Sequence, residues 1–184
     1  MRKAPYLLLM LALVLGVSCS HKYSGDVQDL NFYQWNLWQD TGADPESELP
    51  SVGWEELHRG MGKLVRIPAS LEEHFPERAG AGVYWYHCRF TLPEQWEDRP
   101  ISLVFEEAGP FLSVFLNEQK VGSFRGGQGP YELDVSERIY YIRDNHLSIR
   151  VVNDGGLRSG SPAGITGTIL VVPGPSETEE QEKE

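Results

Sequence analysis

The residues of this 184-residue chain that could do chemistry are spread along it. Glu106-Glu107 is an adjacent carboxylate pair in the middle of the chain. Two carboxylates share acid–base or nucleophilic work only when both face one pocket. This pair ends an alternating segment, where consecutive side chains point to opposite faces, so it is not expected to be catalytic. His21, His58, His74, His87 and His146 show none of the short His/Cys spacings that mark zinc sites. Arg125-Gly126-Gly127-Gln128-Gly129 is glycine-rich but precedes a strand pattern, which excludes a phosphate loop. Asn153-Asp154-Gly155-Gly156 offers oxygens suited to Ca²⁺, although the same residues make an ordinary turn. No G-x-S-x-G elbow occurs. The expectation is no catalytic set, no metal and no cofactor.

The elements that must carry these residues are strands. Tyr84, Tyr86, Cys88, Phe90 and Leu92 alternate with Trp85, His87, Arg89 and Thr91. The same period of two runs through Ile101–Glu106, Tyr131–Ser136, Leu147–Val152 and Ile165–Val171. Such alternation predicts antiparallel strands with one buried and one solvated face. The breaks between them carry turn chemistry, at Pro93–Asp98, Gly109-Pro110, Asn117-Glu118-Gln119, Gly126-Gly127, Arg143-Asp144-Asn145 and Asp154-Gly155-Gly156. Ser70, with Glu73 three residues on, predicts one capped helical turn. The fold class is therefore all-β, an antiparallel β-sandwich or jelly roll.

The two ends read differently. Arg2 and Lys3 precede an apolar run from Tyr6 to Val17 that is too short for a stable membrane span. It closes on Gly16-Val17-Ser18-Cys19, which is similar to a bacterial lipobox, with Gly16 where an aliphatic residue is usual. On that reading residues 1–18 are a lipoprotein signal and Cys19 is acylated. Ordinary signal cleavage near Ser18 is the alternative. Ser20 after the cysteine is compatible with outer-membrane delivery. Residues 19–30 read as a polar tether, 31–173 as one domain, and 174–184 as a solvated acidic tail. Cys88 is the other cysteine, so with Cys19 committed to lipid no internal disulfide is expected, and its phase with Tyr84 and Phe90 predicts a buried, inert thiol. The formal charge is −11, or −13 once Arg2 and Lys3 leave with the signal, which argues against nucleic acid and anionic headgroups as partners.

The order of several short motifs over about 140 residues, the size of one sandwich domain, resembles the N-terminal jelly-roll domain of glycoside hydrolase family 2 enzymes. Trp85-Tyr86 and Pro93–Trp96 are similar to its first long strand and following turn. Asn117 and Gly122 are similar to its N-G-x-x-V-G hairpin, with Glu118 in place of the first glycine. Arg125–Ser136 is similar to its G-G-Y-x-P-F-x-x-D-[VI]-T block, with Gln128 where an aromatic is common. Gly164–Ile169 is similar to its closing G-I-x-R-x-V strand, with Gly167 replacing the arginine.

The resemblance implies a galactose-binding-like jelly roll, which in the family is mainly an accessory module, with chemistry on a separate barrel. A chain ending near Pro173 has no room for a barrel of about 250 residues, so the expectation is a non-catalytic, lipid-anchored carbohydrate-binding-like module of a bacterial envelope. It also implies a glycan or a glycosylated protein as partner. A sugar site needs an aromatic platform and hydroxyl-matching polar groups. The five tryptophans, Trp35, Trp38, Trp54, Trp85 and Trp96, read first as packing residues, with one of Trp35 and Trp38 expected outside. The polar candidates fall in two loops, Arg125 with Gln128 and Asn153 with Asp154 and Arg158. Two alternatives stand beside this reading: a protein-interaction lipoprotein without sugar binding, and an accessory subunit of a separately encoded glycoside hydrolase.

Overall fold

The structure is a computed structural model that describes residues 26–44, 46–77, 79–155 and 162–176, with backbone alone at Gly127 and Gln128. In chain order its elements are β1 (Gln28–Asp29), β2 (Trp35–Asp40), α1 (Trp54–His58), β3 (Lys63–Val65), β4 (Ala69–Ser70), α2 (Leu71–His74), β5 (Gly82–Thr91), β6 (Ile101–Leu116), β7 (Gln119–Asp134), β8 (Asp144–Asn153), β9 (Gly164–Ile165) and β10 (Ile169–Pro173). All strand pairs are antiparallel, as the alternation predicts. The domain begins earlier than expected: Leu30 is fully buried and β1 pairs with β10, so the last residues assigned to a tether belong to the fold. Cys19, the signal segment and residues 177–184 lie outside the described residues. Among the described residues no helix is long and apolar enough to cross a membrane.

The two sheets of the sandwich share one hairpin. Ile101–Phe105 of β6 pairs with β10 on one side and with Tyr131–Asp134 of β7 on the other. Phe111–Leu116 of the same strand pairs with Gln119–Arg125 of β7 and with β8. The smaller sheet is thus β1, β10 and one half of the hairpin; the larger continues from the other half through β8, β5, β2 and β3. Gly109-Pro110 and Gly126-Gly127 do not end strands, contrary to the sequence expectation. They face each other where the hairpin bends from sheet to sheet, at register shifts after Phe105 and Ala108. A Cβ on Gly126 would sit 2.3 Å from the Gly109 Cα, and one on Gly129 would sit 2.4 Å from the Glu106 carbonyl oxygen. The glycines permit this backbone approach, and the strands run on through it.

Between the sheets lies the main core. The larger sheet contributes Trp35, Leu37, Tyr84, Tyr86, Cys88, Ile149 and Val151, and the smaller contributes Leu103, Phe105, Ile169 and Val171. Burying each large apolar side chain contributes roughly 1.5–3 kcal/mol. Cys88 is buried and free, and burial pushes its thiol up to about 12, so it stays protonated and inert. Ser70 caps α2 through the expected capping box with Glu73, and Leu71 anchors the turn in the core. Trp96 is buried beneath the turn after β5, as its packing role requires.

One expectation fails at the larger sheet. β5 and β8 are buried on both faces, because residues 41–62 cross the outer face as a strap carrying α1. Leu57 packs there against Trp85 and Phe115, with Trp38 and Trp54 around them. Trp54 meets Trp85 edge-on at 5.6 Å. Trp35 is fully buried on the inner face and Trp38 half-buried on the outer one, opposite sides of a strand as their types and spacing require.

Candidate functional site

Asp40 closes β2 and fastens the strap. Its carboxylate accepts from the backbone N–H groups of Gly42 (3.2 Å) and Ser51 (3.0 Å), from the Ser51 hydroxyl, and from the indole Nε1–H of Trp85 at 3.2 Å. Further along, the Glu48 carboxylate accepts from Ser113 at 2.7 Å and from Lys120 at 2.6 Å. Those two bonds hold the Glu48 carboxyl below its ordinary range. The strap therefore leaves two openings on the outer face.

The first opening is a groove of about 420 Å³ over β7, β6 and β8. Cross-strand register explains its lining: Phe111 stands opposite both Arg125 and Val152, and Ser113 opposite both Ser123 and Arg150. Glu48 closes one side. The Arg125 guanidinium lies 5.3 Å from the centre of the Phe111 ring, within cation–π range. An aromatic face, two hydroxyls, two guanidinium groups and a carboxylate thus share one shallow, solvent-facing surface.

The second opening, of about 680 Å³, lies between α1 and the β2–β3 edge and is lined by Gln34, Asn36, His58, Arg59, Arg89 and His87 among others. At its inner end three histidines meet. His58 comes from the last turn of α1, His87 from the outer face of β5, and His146 from β8. The His87 Nε2 and His146 Nδ1 atoms are 3.2 Å apart. The His58 ring stacks at 4.3 Å on His146 and at 4.9 Å on His87. Burial, reinforced by His146, pulls His58 down to about 4. Burial, reinforced by His58 and His146, pulls His87 down to about 3. Burial and the Arg89 charge lower His146 as well. Each imidazole is thus held toward its neutral form. Sequence spacing gave no sign of this cluster, since the three elements come together only through strand pairing and the strap.

The residues singled out from the sequence do not form one site. Arg125 lies within β7 rather than in a loop, and its side chain is exposed on the outer-face groove. Asn153 ends β8 one residue beyond Val152, on the opposite, inward face. It is buried, its amide donates to the Gly80 carbonyl at 3.1 Å, and its Oδ1 accepts from the Gly155 N–H at 3.0 Å. Asn153 therefore serves the turn. Asp154 is half-buried in the same turn. Gln128 continues β7 opposite Glu107, its side chain lying outside the described residues, as does Arg158 altogether. Glu106 and Glu107 are exposed at a register shift of β6 and line neither opening.

Residues 67–156 match the family model described as the β-galactosidase second all-beta domain. Among solved structures, the β-glucuronidase of Ruminococcus gnavus superposes with a TM-score of 0.65 at 23% identity, covering 84% of this chain and 30% of that one. A glycosyl hydrolase family 2 member from Bacteroides cellulosilyticus superposes at 0.61 with 17% identity, covering 80% and 20%. The chain carries a glycoside hydrolase family 2 domain-like region. Curated relatives agree. A β-galactosidase of Thermoanaerobacter pseudethanolicus is 31% identical over 79 residues, 42% of this chain and 11% of the relative. A β-glucuronidase of Paenibacillus borealis is 25% identical over 131 residues, 70% and 21%. The chain thus spans only about a tenth and a fifth of these relatives, and the shared part is a β-domain of the family. The replacement at Gly167 has a local reason in this fold: its N–H donates to the Glu107 carbonyl at 2.8 Å, and a Cβ there would come within 2.5 Å of the Glu107 nitrogen.

Proposed function

We propose that this family 2 β-domain is a non-catalytic carbohydrate-binding module, held at a bacterial envelope surface by lipid on Cys19, and that it engages a glycan or a glycosylated partner. The observation that carries this reading is the outer-face groove, where Phe111 supplies a ring for the C–H face of a sugar and Arg125, Ser113, Ser123 and Glu48 supply donors and acceptors. The groove lies largely within the segment matched by the family model. It is open and shallow, so a single sugar would be held by few contacts, with weak affinity and preference for longer chains. Against catalysis stands the placement of Glu106 and Glu107. A retaining glycosidase needs two carboxylates facing one sugar at about 5–5.5 Å, and these two are consecutive strand residues outside both openings.

A glycan array probed with wild type, Phe111→Ala and Arg125→Ala tests the reading. Binding by wild type that both substitutions abolish is the expected result. An array without hits, or hits that survive both substitutions, removes the sugar site. The relatives are large enzymes of which this chain matches a minor part, which favours as second reading an accessory subunit of a separately encoded glycoside hydrolase. Co-purification with such an enzyme would identify it. Transfer of Cys19→Ala to the soluble fraction tests the anchor; continued membrane association without palmitate labelling of wild type overturns it.

A further inference from the structure

We infer that His58, His87 and His146 form a binding site for a first-row transition dication of the Zn²⁺ class, with Glu118 as an available oxygen ligand.

Geometry comes first. One ring nitrogen from each histidine lies within 4.8 Å of the other two. The facing nitrogens of His87 and His146, at 3.2 Å, already span the edge of a coordination tetrahedron, because Zn–N bonds are about 2.0–2.1 Å long. The three rings stand nearly parallel, at 12–24° to one another, so ligation needs His58 to tilt toward the His87–His146 edge. Its neighbours allow this. The His58 Nε2 has only the Ser148 hydroxyl at 3.4 Å, and Glu118 Oε1 stands 3.8 Å from Nδ1.

The second observation is burial. His87 is only 3% exposed, and its Nε2 meets only His146 Nδ1; its Nδ1, on the other side of the ring, is not the ligating atom. A buried polar group is normally satisfied by protein, water or an ion. Three imidazoles gathered with no carboxylate between them gain little from one another, since one His–His hydrogen bond is all they share among themselves. A dication would engage three lone pairs at once. Imidazole nitrogens, with a carboxylate oxygen, are the donor set that such ions prefer over Mg²⁺ or Ca²⁺.

Glu118 adds a third line. It occupies the β6–β7 turn with φ +68°, next to Asn117 at +51°. Glycine or asparagine suits that backbone, and a glutamate there is unfavourable. The turn nevertheless carries a carboxylate, and that carboxylate faces His58. The site is separate from the groove at Phe111 and does not depend on sugar binding.

The test uses the full, tag-free chain, stripped with chelator and titrated with ZnCl₂ and CoCl₂. One Zn²⁺ per chain and a rise in Tm are expected. Co²⁺ should give the intense visible bands of a tetrahedral nitrogen site. His58→Gln and His146→Gln, at partly exposed positions, should each weaken Zn²⁺ by more than the roughly 10–100-fold that loss of an outer-shell partner costs. Circular dichroism establishes that each variant is folded. Absence of Zn²⁺ binding by wild type overturns the proposal, and so does equal binding by both folded variants. If either variant unfolds, the wild-type Co²⁺ spectrum decides: weak octahedral bands overturn the site.

Discussion

The two faces of the larger sheet are buried to a similar degree and filled with different chemistry. Inward, β5 and β8 present Tyr84, Tyr86, Cys88, Ile149 and Val151; outward, the same strands present Trp85, His87, Ser148 and Arg150. The inner face is covered by the opposing sheet, the outer by the strap of residues 41–62. A core of matched apolar surfaces needs only volume and shape. Beneath the strap polar side chains are buried as well, and each must find a partner. The difference teaches that matched apolar packing is concentrated on one face and buried polar chemistry on the other.

Cutting into the inner face should cost most. Ile149→Ala is expected to lose about 2–5 kcal/mol in urea unfolding, while leaving the metal affinity of the folded fraction unchanged. A parallel loss of affinity would show that the faces are coupled. Next comes the strap. Asp40→Ala leaves the buried Trp85 indole N–H and the Ser51 N–H without their acceptor, a loss of about 2–3 kcal/mol. Protease should then cut between residues 41 and 53 sooner than wild type; equal cutting rates would mean that Leu57 and Trp54 alone hold the strap.

A smaller effect of opposite sign is expected at the turn. Glu118→Gly relieves a left-handed backbone that costs about 1–2 kcal/mol, against an added glycine chain entropy of about 0.5–1 kcal/mol, and should give a small net stabilisation of the metal-free protein, measurable by chemical denaturation with chelator present. No gain would show that the contact with His58 already offsets the strain. The smallest effect concerns acid. His74 packs edge-on against Tyr86 on the inner side. Burial, together with the charge of Lys63, holds its imidazole below the ordinary histidine value, against a smaller opposing pull from Glu73. The unfolded chain then binds this proton more readily than the native one. Its contribution to stability is complete above about pH 6.5 and is lost as pH falls below that. His74→Gln should flatten the pH dependence of Tm between pH 7 and 5; an unchanged slope would assign it to other groups.

Much of the inner face was legible in the sequence, because a period of two sorts side chains without reference to distant partners. Tyr84, Tyr86, Cys88, Phe90 and Leu92 all fall where the alternation puts them, and the Ser70 cap follows from a four-residue pattern. What was not legible depends on tertiary approach. The strap carries few apolar residues, so nothing local announces that it covers a sheet. His87 and His146 are 59 residues apart and become neighbours only when β5 pairs with β8. Gly109-Pro110 and Gly126-Gly127 have turn composition, yet their glycines serve close contact between two continuing strands. Arg125 and Asn153 do arrive on the two strands that flank β6, namely β7 and β8. A one-residue offset in register sends one outward and the other inward.

The hairpin shared by both sheets has a consequence for how the molecule comes apart. A sandwich whose sheets are joined only by loops can lose one layer while the other persists. Here Leu103 and Leu133 in one layer sit on the same two strands as Val114 and Gly122 in the other. Neither layer is an independent opening unit in the sense of hydrogen exchange. Amides at these four positions should exchange through a single global event, with one free energy and one denaturant dependence.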